Sequence, residues 1–392
     1  MNMESPISAT GAISEEEQMI LDTVEKFLEA DVKPHVHHLE HDDIYPQEIV
    51  DKMKELGFFG LMIDPAYGGY GISTLTYARI IEKISAVWMS VSGIINSHMI
   101  MAMTVQRAGT EEQKAYYLPK FATGELRGGI GLTEPDAGTD LQNIRTVAKR
   151  EGDQYVVNGN KMWITNSGSG NTILLLVKTD PTAEPRHKGM SLLIAEKGPG
   201  FIVSKKLEKL GYKGVDSCAL AFEDYRVPAD RLVGGVEGVG LKQVLGGLEL
   251  GRINVAARGL GIAQAALDEA VAYSQTRKTF GKPICEHQAI QLKLGEMATR
   301  VTAARLLTEH AAMAYDRGER CDMEAGMAKY YATEAGLENA TEAMRIFGGY
   351  GYSKEYPVER LYRDAPLLTI GEGTNELQRI IIAKQIIARN PA

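Results

Sequence analysis

The sequence predicts an α+β chain in three consecutive parts: an N-terminal all-α domain over residues 1–125, a middle antiparallel β domain over 126–235 and a C-terminal four-helix bundle over 236–392. Three observations carry this. Apolar residues recur at helical spacing from Ser14 to about Leu118, short β-rich runs broken by Gly, Asn, Asp and Pro fill the stretch from Gly128 to Leu232, and helical spacing returns from Gly238. At 392 residues the chain also exceeds what one hydrophobic core organises.

In the first part, residues 47–58 place Ile49, Val50, Met53 and Leu56 on one helical face, and turn residues cluster between Pro65 and Gly71. The apolar stretch 86–105 is barely of membrane-spanning length. Trp88, Asn96, His98 and several methionines interrupt it, so it reads as a buried helix. In the middle part, strands are expected near 154–157, 172–178, 190–196 and 217–222. Glu151-Gly152-Asp153 signals a hairpin and Asn158-Gly159 a further turn, which favours antiparallel pairing over βαβ crossovers. Helices near 238–273, 289–316, 323–347 and 376–388 make the four of the bundle.

A formal net charge of -8 without a long Lys/Arg block argues against nucleic acid or membrane as the partner and leaves small molecules. Cys218, Cys285 and Cys321 form no CxxC pair and leave one thiol over in any pairing, which fits a reducing compartment. Residues 1–18 lack Lys, Arg and a signal-like apolar run, so the expected location is bacterial cytoplasm, with the mitochondrial matrix as the alternative for a processed chain.

Two segments of the middle part suggest a ligand. Gly131 to Asp140 offers Gly and hydroxyl residues through which backbone amides approach a ligand closely. About twenty residues later Trp163, one of two tryptophans, stands beside Thr165. A lone Trp is usually core, but a flat aromatic with nearby hydrogen-bond donors suits an isoalloxazine ring.

Residues Thr133 to Asp140 and Trp163 to Thr165 resemble the two flavin-binding segments of the acyl-CoA dehydrogenase family. The resemblance continues through Leu56-Gly57, Gln113 to Gly124, Arg277 to Ile284, Phe347 to Tyr352, Tyr356 to Arg360 and Glu372-Gly373-Thr374, in the family's order. It implies FAD as cofactor, an acyl-CoA substrate, electron-transfer flavoprotein as acceptor and a homotetramer. Ile130, Leu132, Thr133, Gly138 and Thr139 would meet the flavin through backbone and hydroxyl contacts, Trp163 would lie against the ring with Ile164 in the same cofactor segment, and Thr165 would bond near its reactive edge. Arg277, Thr279, Phe280 and Gln288 match a segment that reaches the FAD of a neighbouring subunit, and Gly348, Gly349, Thr374 and Glu376 complete the cofactor set. Arg345 stands where the family usually has Gln; either its fork of donors meets the pyrophosphate or it faces solvent. Asn143 replaces a commoner small residue.

The resemblance makes Glu372 the catalytic base, in a Gly371-Glu372-Gly373 turn that presents its carboxylate ahead of an apolar helix. Thr139, Arg252 and Gly373 join it at the substrate. Some family members place the base just before the Arg that is Arg252 here; this chain has Gly251 there, with Glu249 two residues upstream as a control. Acyl-CoA oxidation by oxygen, or another flavin-dependent acyl-CoA reaction, is the rival activity. Met99, Met101 and Met103 are candidates for an acyl pocket. Glutaryl-type members carry an Arg that Ser90-Val91-Ser92 does not supply, so a dicarboxylyl substrate is not expected. No metal is expected: His35, His37, His38 and His41 lack a carboxylate or Cys framework in the sequence.

Overall fold

The computed structural model describes residues 14–391; the leader-free reading of residues 1–18 falls mostly outside them. Helix α1 (Glu15–Phe27) opens on a capping box, in which Ser14 and Glu17 satisfy each other's backbone amides. The short α2 (Val36–His41) and α3 (Gln47–Glu55) follow, then α4 (Thr74–Ala108) and α5 (Glu111–Thr123). Ile49, Val50 and Met53 are buried as their spacing predicts. By length and composition α4 passes for a membrane span, yet 83% of its most apolar window is buried inside the protein. It is the central strut, packed on α1, α5 and the C-terminal helices, and it kinks at Trp88.

The middle region holds β1 (Gly128–Gly131), β2 (Val147–Glu151), β3 (Gln154–Thr165), β4 (Thr172–Lys178), β5 (Met190–Glu196), β6 (Phe201–Lys206) and β7 (Ser217–Pro228) in one seven-stranded sheet. The path runs β1-β4-β2-β3-β7-β6, with β5 on β4. Most pairs are antiparallel, but β1 and β4 run parallel and β2 meets β4 in parallel at one residue pair, so the sheet is mixed. The expectation of antiparallel strands alone fails because the β2–β3 hairpin is inserted between β1 and β4, and an insertion of that length lets the chain return in the same direction. The hairpin at Gly152-Asp153 forms as predicted. Asn158-Gly159 is not a turn; it is a bulge within β3, where the register against β7 shifts.

Helices α6 (Gly240–Thr276), α7 (Gln288–Asp316) and α8 (Asp322–Phe347) pack on one another, and the small hairpin of β8 (Lys278–Thr279) and β9 (Lys282–Pro283) connects α6 to α7. Helix α10 (Asn375–Arg389) lies on α8 as the expected fourth member. One more, α9 (Val358–Ile370), packs on α8 and α6; Pro357 and Pro366 obscure it in the sequence. The main core joins the N-terminal helices to this bundle, a second core joins α4 and α5 to the sheet, and a third lies within the sheet.

Candidate active site

Glu372 sits between α9 and α10 with φ at +55°, a conformation that costs a non-glycine residue about 1 kcal/mol or more. What holds it there is Lys329, on α8 and fully buried. Its Nζ donates to the Gly373 carbonyl at 2.9 Å and to Asn375 Oδ1 at 2.8 Å, while Gln378 donates to the same carbonyl. Thr374 caps α10 by accepting from the Leu377 amide, and Glu376 is exposed and paired with Arg379. Lys329 stands in ordinary helical sequence, and only the packing of α8 shows that it is buried.

Glu372 is half-buried as a residue, but its carboxylate is enclosed. Asn96 Nδ2, from α4, donates to Oε1 at 2.5 Å, and Oε2 is buried without a partner. Burial pushes the Glu372 carboxyl above the ordinary range, against the opposing pull of Arg258, Asn96, Lys329 and Arg252. Gly251 stands directly opposite: a Cβ there would lie 2.4 Å from Glu372 Oε2 and 3.0 Å from Ile100 Cδ1. The rival base position and the actual carboxylate therefore compete for one space. Glu249 faces Asp322 instead, and burial together with that neighbour raises its carboxyl to about 6. Arg252 is buried, with Nη1 3.6 Å from Asp322.

From α4 the site is faced by Asn96 and Ile100, one turn apart. The three methionines on the same helix are buried, Met99 and Met103 in the helical core and Met101 in the core beneath the sheet. Tyr212 reaches in from the loop before β7, with its hydroxyl so close to Gly93 that any Cβ at that glycine would clash. Its phenol faces Thr165 and packs under the Arg258 guanidinium, 4.9 Å from ring to cation.

The two middle-domain motifs are bolted together. Lys161 Nζ donates to Glu134 Oε1 at 2.8 Å and to the Leu132 carbonyl at 3.0 Å, Met162 donates to the Thr133 carbonyl, and Glu134 also accepts from the Arg145 and Thr146 amides. Burial lowers Lys161 to about 8; burial also acts to raise Glu134, but Lys161 and the surrounding donors outweigh it and hold that carboxyl below its usual value. A register shift between Lys161 and Ile164 leaves Trp163 outside the ladder, at φ +64° and 57% exposed. It is not a core tryptophan. Gly138 and Thr139 are exposed, and Ile130, Thr133 and Thr165 are half-buried. Two of the expected cofactor residues turn their side chains inward. The Ile164 side chain lies in the sheet's core and its carbonyl accepts from Ser167, and the Leu132 side chain lies in the core under the sheet with its carbonyl taken by Lys161. Neither side chain faces a ligand.

The second cofactor group gathers elsewhere. Arg277 and Thr279 line a cavity of about 600 Å3 with Gly348, Gly349 and Tyr350, the Arg277 guanidinium lying over the Tyr350 ring. Phe280, at φ +54°, is 97% exposed, and Gln288 is exposed at the start of α7. Arg345 is not among the cavity's lining residues; it pairs with Glu342 on its own helix, so the pyrophosphate contact expected of it is not prepared. The flat aromatic surface at Trp163 fits the flavin end of a long cofactor, and the glycine-lined cavity with its arginine and the projecting ring of Phe280 fit the charged nucleotide end of such a cofactor bound elsewhere. At the histidines, Glu40, His41 and Glu359 bring three ligand-type atoms within 4.8 Å, but Arg363 donates to both carboxylates. That makes an ion-pair cluster.

Comparison with known proteins agrees with this geometry. Residues 14–125 match the acyl-CoA dehydrogenase N-terminal domain, 129–225 its middle domain and 238–387 its C-terminal domain. An acyl-CoA dehydrogenase of Bacillus subtilis (strain 168) is 41% identical over 377 residues, covering 96% of this chain and 99% of the relative. The chain belongs to the acyl-CoA dehydrogenase family. Like the family's other members, this acyl-CoA dehydrogenase is an FAD-dependent oxidoreductase. The solved structure of butyryl-CoA dehydrogenase from Megasphaera elsdenii superposes with a TM-score of 0.93 at 37% identity, covering 96% of this chain and 99% of that one. A chain in the structure described as the electron transferring flavoprotein of Acidaminococcus fermentans matches with a TM-score of 0.93 at 39% identity, covering 96% and 99%.

Proposed function

We propose that this enzyme removes the α and β hydrogens of a saturated acyl-CoA thioester to give the trans-2-enoyl-CoA, and that its electrons pass to an electron-transfer flavoprotein. The observation that carries the reading is the enclosed Glu372 carboxylate, with Oε2 unpartnered and Gly251 clearing the space in front of it. A base that takes a proton from carbon needs a pKa brought up toward neutrality, and burial moves Glu372 in that direction. Bound FAD supplies the two-electron sink that accepts the β-hydrogen as hydride. The protein's own part is to hold the α-carbon against Glu372 Oε2, to receive its proton there, and to keep water away by packing α4 and α6 around the carboxylate. Ile130, Thr133, Gly138, Thr139, Trp163 and Thr165 would hold the flavin end of FAD. Arg277, Thr279, Phe280, Gln288, Gly348 and Gly349 would hold the nucleotide end of a neighbouring subunit's FAD, in a homotetramer.

Glu372→Gln tests the assignment. The variant should retain FAD, seen in its visible spectrum, and fail to bleach when mixed anaerobically with acyl-CoA. Bleaching at the wild-type rate would remove Glu372 from the mechanism. Reoxidation of the reduced enzyme by electron-transfer flavoprotein, compared with oxygen, separates the dehydrogenase from an oxidase.

A further inference from the structure

Arg258 has no role in the chemistry described so far, and its burial calls for one. It is 4% exposed, yet its Nε and Nη2 have no hydrogen-bond partner. Leaving a guanidinium in a protein interior with donors unpaired is costly, and the group cannot shed its charge to escape that cost. Such an orphan marks a place for an absent acceptor.

Its place in the fold says which acceptor. Arg258 lies seven residues beyond Gly251 on α6, close to two full turns, so both point to the same face. The rise over that interval is about 10 Å, and a helical side chain leans back toward the N-terminus, which brings the guanidinium toward the Glu372 end of the pocket. Arg258 is accordingly the strongest of the groups that pull the Glu372 carboxyl down, and it covers the Tyr212 ring whose phenol faces Thr165. It does not bond the Glu372 carboxylate, which takes its hydrogen bond from Asn96. Neither orphaned nitrogen of the cation is spent on the base.

We propose that Arg258 is a specificity-determining residue that binds a carboxylate on the acyl chain, so that the preferred substrate is the CoA monothioester of a short dicarboxylic acid. This rests on the dehydrogenase reading. The absence of an arginine near Ser90 had pointed the other way, and the serines there are indeed occupied, Ser90 donating to the Lys213 carbonyl and Ser92 to that of Met89. The cation arrives from α6 instead. The reaction itself is unchanged: the α-proton goes to Glu372, the β-hydrogen leaves with its electron pair to FAD, and the distal carboxylate is retained.

The test uses the FAD-loaded enzyme and length-matched pairs: succinyl-CoA against butyryl-CoA and glutaryl-CoA against valeryl-CoA, plain and methyl-branched. Anaerobic flavin bleaching should show at least one carboxylated ester with a kcat/KM about 10- to 100-fold above its uncharged partner, the range expected for hydrogen bonds to a charged group. Arg258→Met should collapse that ratio, Arg258→Lys should restore part of it, and Arg258→Gln serves if the Met variant folds poorly. In the Glu372→Gln background, unreactive carboxyalkyl- and alkyl-CoA thioethers titrated calorimetrically should show the same preference and the same loss. Bleaching by butyryl- or valeryl-CoA with no preference for any carboxylated ester overturns the proposal and leaves the dehydrogenase reading standing. So does a ratio unchanged in Arg258→Met, or an equal fall for both classes, which would make Arg258 only a countercharge to Glu372. Bleaching by none of the esters sinks both readings.

Discussion

Replacing Gly251 with alanine should impair the reaction far more than the fold. The added Cβ would lie 2.4 Å from Glu372 Oε2, where ordinary contact begins near 3.4 Å, so the carboxylate must retreat by about 1 Å. The moved group is the far end of a side chain, so the fold yields cheaply there, and the tighter 3.0 Å contact with Ile100 Cδ1 requires a shift of only a few tenths of an ångström. Against that strain, Gly→Ala in a helix interior stabilises by about 0.8–1 kcal/mol. The two effects should nearly cancel in the melting temperature. A base misplaced by about 1 Å costs on the order of 100-fold, or about 2.7 kcal/mol of transition-state stabilisation. Stopped-flow flavin reduction under anaerobic conditions measures the first effect, and thermal unfolding of the same preparation measures the second. A Gly251→Ala enzyme that reduces flavin at the wild-type rate would refute the placement of Glu372 against α6. A rate loss accompanied by an equal loss of bound FAD or of stability would refute the claim that the damage is local.

Three further outcomes follow from the same geometry. Because folding raises the Glu372 carboxyl above its unfolded value, the native state favours the neutral form; the associated stability is present at low pH and is lost as pH rises through the raised value. Glu372→Gln should therefore match wild type in chemical denaturation below the ordinary value of 4.5 and exceed it above neutrality, and equal stability at both ends would show that the carboxyl is not perturbed. Lys161→Met leaves the Glu134 carboxylate buried without its cation, which should cost about 3 kcal/mol in urea unfolding and weaken FAD retention, whereas a surface role predicts no change in either. Lys329→Met removes one of the two hydrogen bonds to the Gly373 carbonyl and the one to Asn375, and so relaxes the turn that holds Glu372 at positive φ; flavin reduction should slow by about 10- to 100-fold while FAD stays bound, and wild-type kinetics would show that the turn holds itself.

What the sequence displays is what local physics dictates. Helical spacing and turn residues place most elements, because burial of one face is written into nearby residues. The parallel β1–β4 pair is invisible at that range, since it joins strands separated by a whole hairpin, and Asn158-Gly159 gives the same signal whether the chain reverses or merely bulges. Glu372, Trp163 and the Arg277 segment are recognisable because they sit in motifs with flanking glycines and hydroxyls. Ile164 and Leu132 share those motifs yet face inward, because alternation along a strand sends neighbours to opposite sides. Lys329 and Arg258 lie in ordinary helical sequence, where a cation normally reads as solvated surface; only the packing of α8 and α6 shows that each is buried.

Those two hidden cations bear on why Glu372 can act as a base at all. A carboxylate in direct contact with Lys or Arg is held ionised and is correspondingly reluctant to take a proton. Here the donor in contact with the carboxylate is the uncharged Asn96, while Arg258, Lys329 and Arg252 act from further off and their pull is outweighed by burial. Lys329 spends its donors on the Gly373 carbonyl and Asn375, and Arg252 stands near Asp322, so each is partly committed elsewhere. Arg258 is the exception. A ligand carboxylate at that guanidinium would neutralise the strongest of the charges lowering the Glu372 pKa, just as the acyl chain expels water from around it. Both changes push the carboxyl upward, so an acid-bearing substrate would strengthen the base that attacks it, and the pH profile of flavin reduction should lie higher with such a substrate than with its uncharged counterpart.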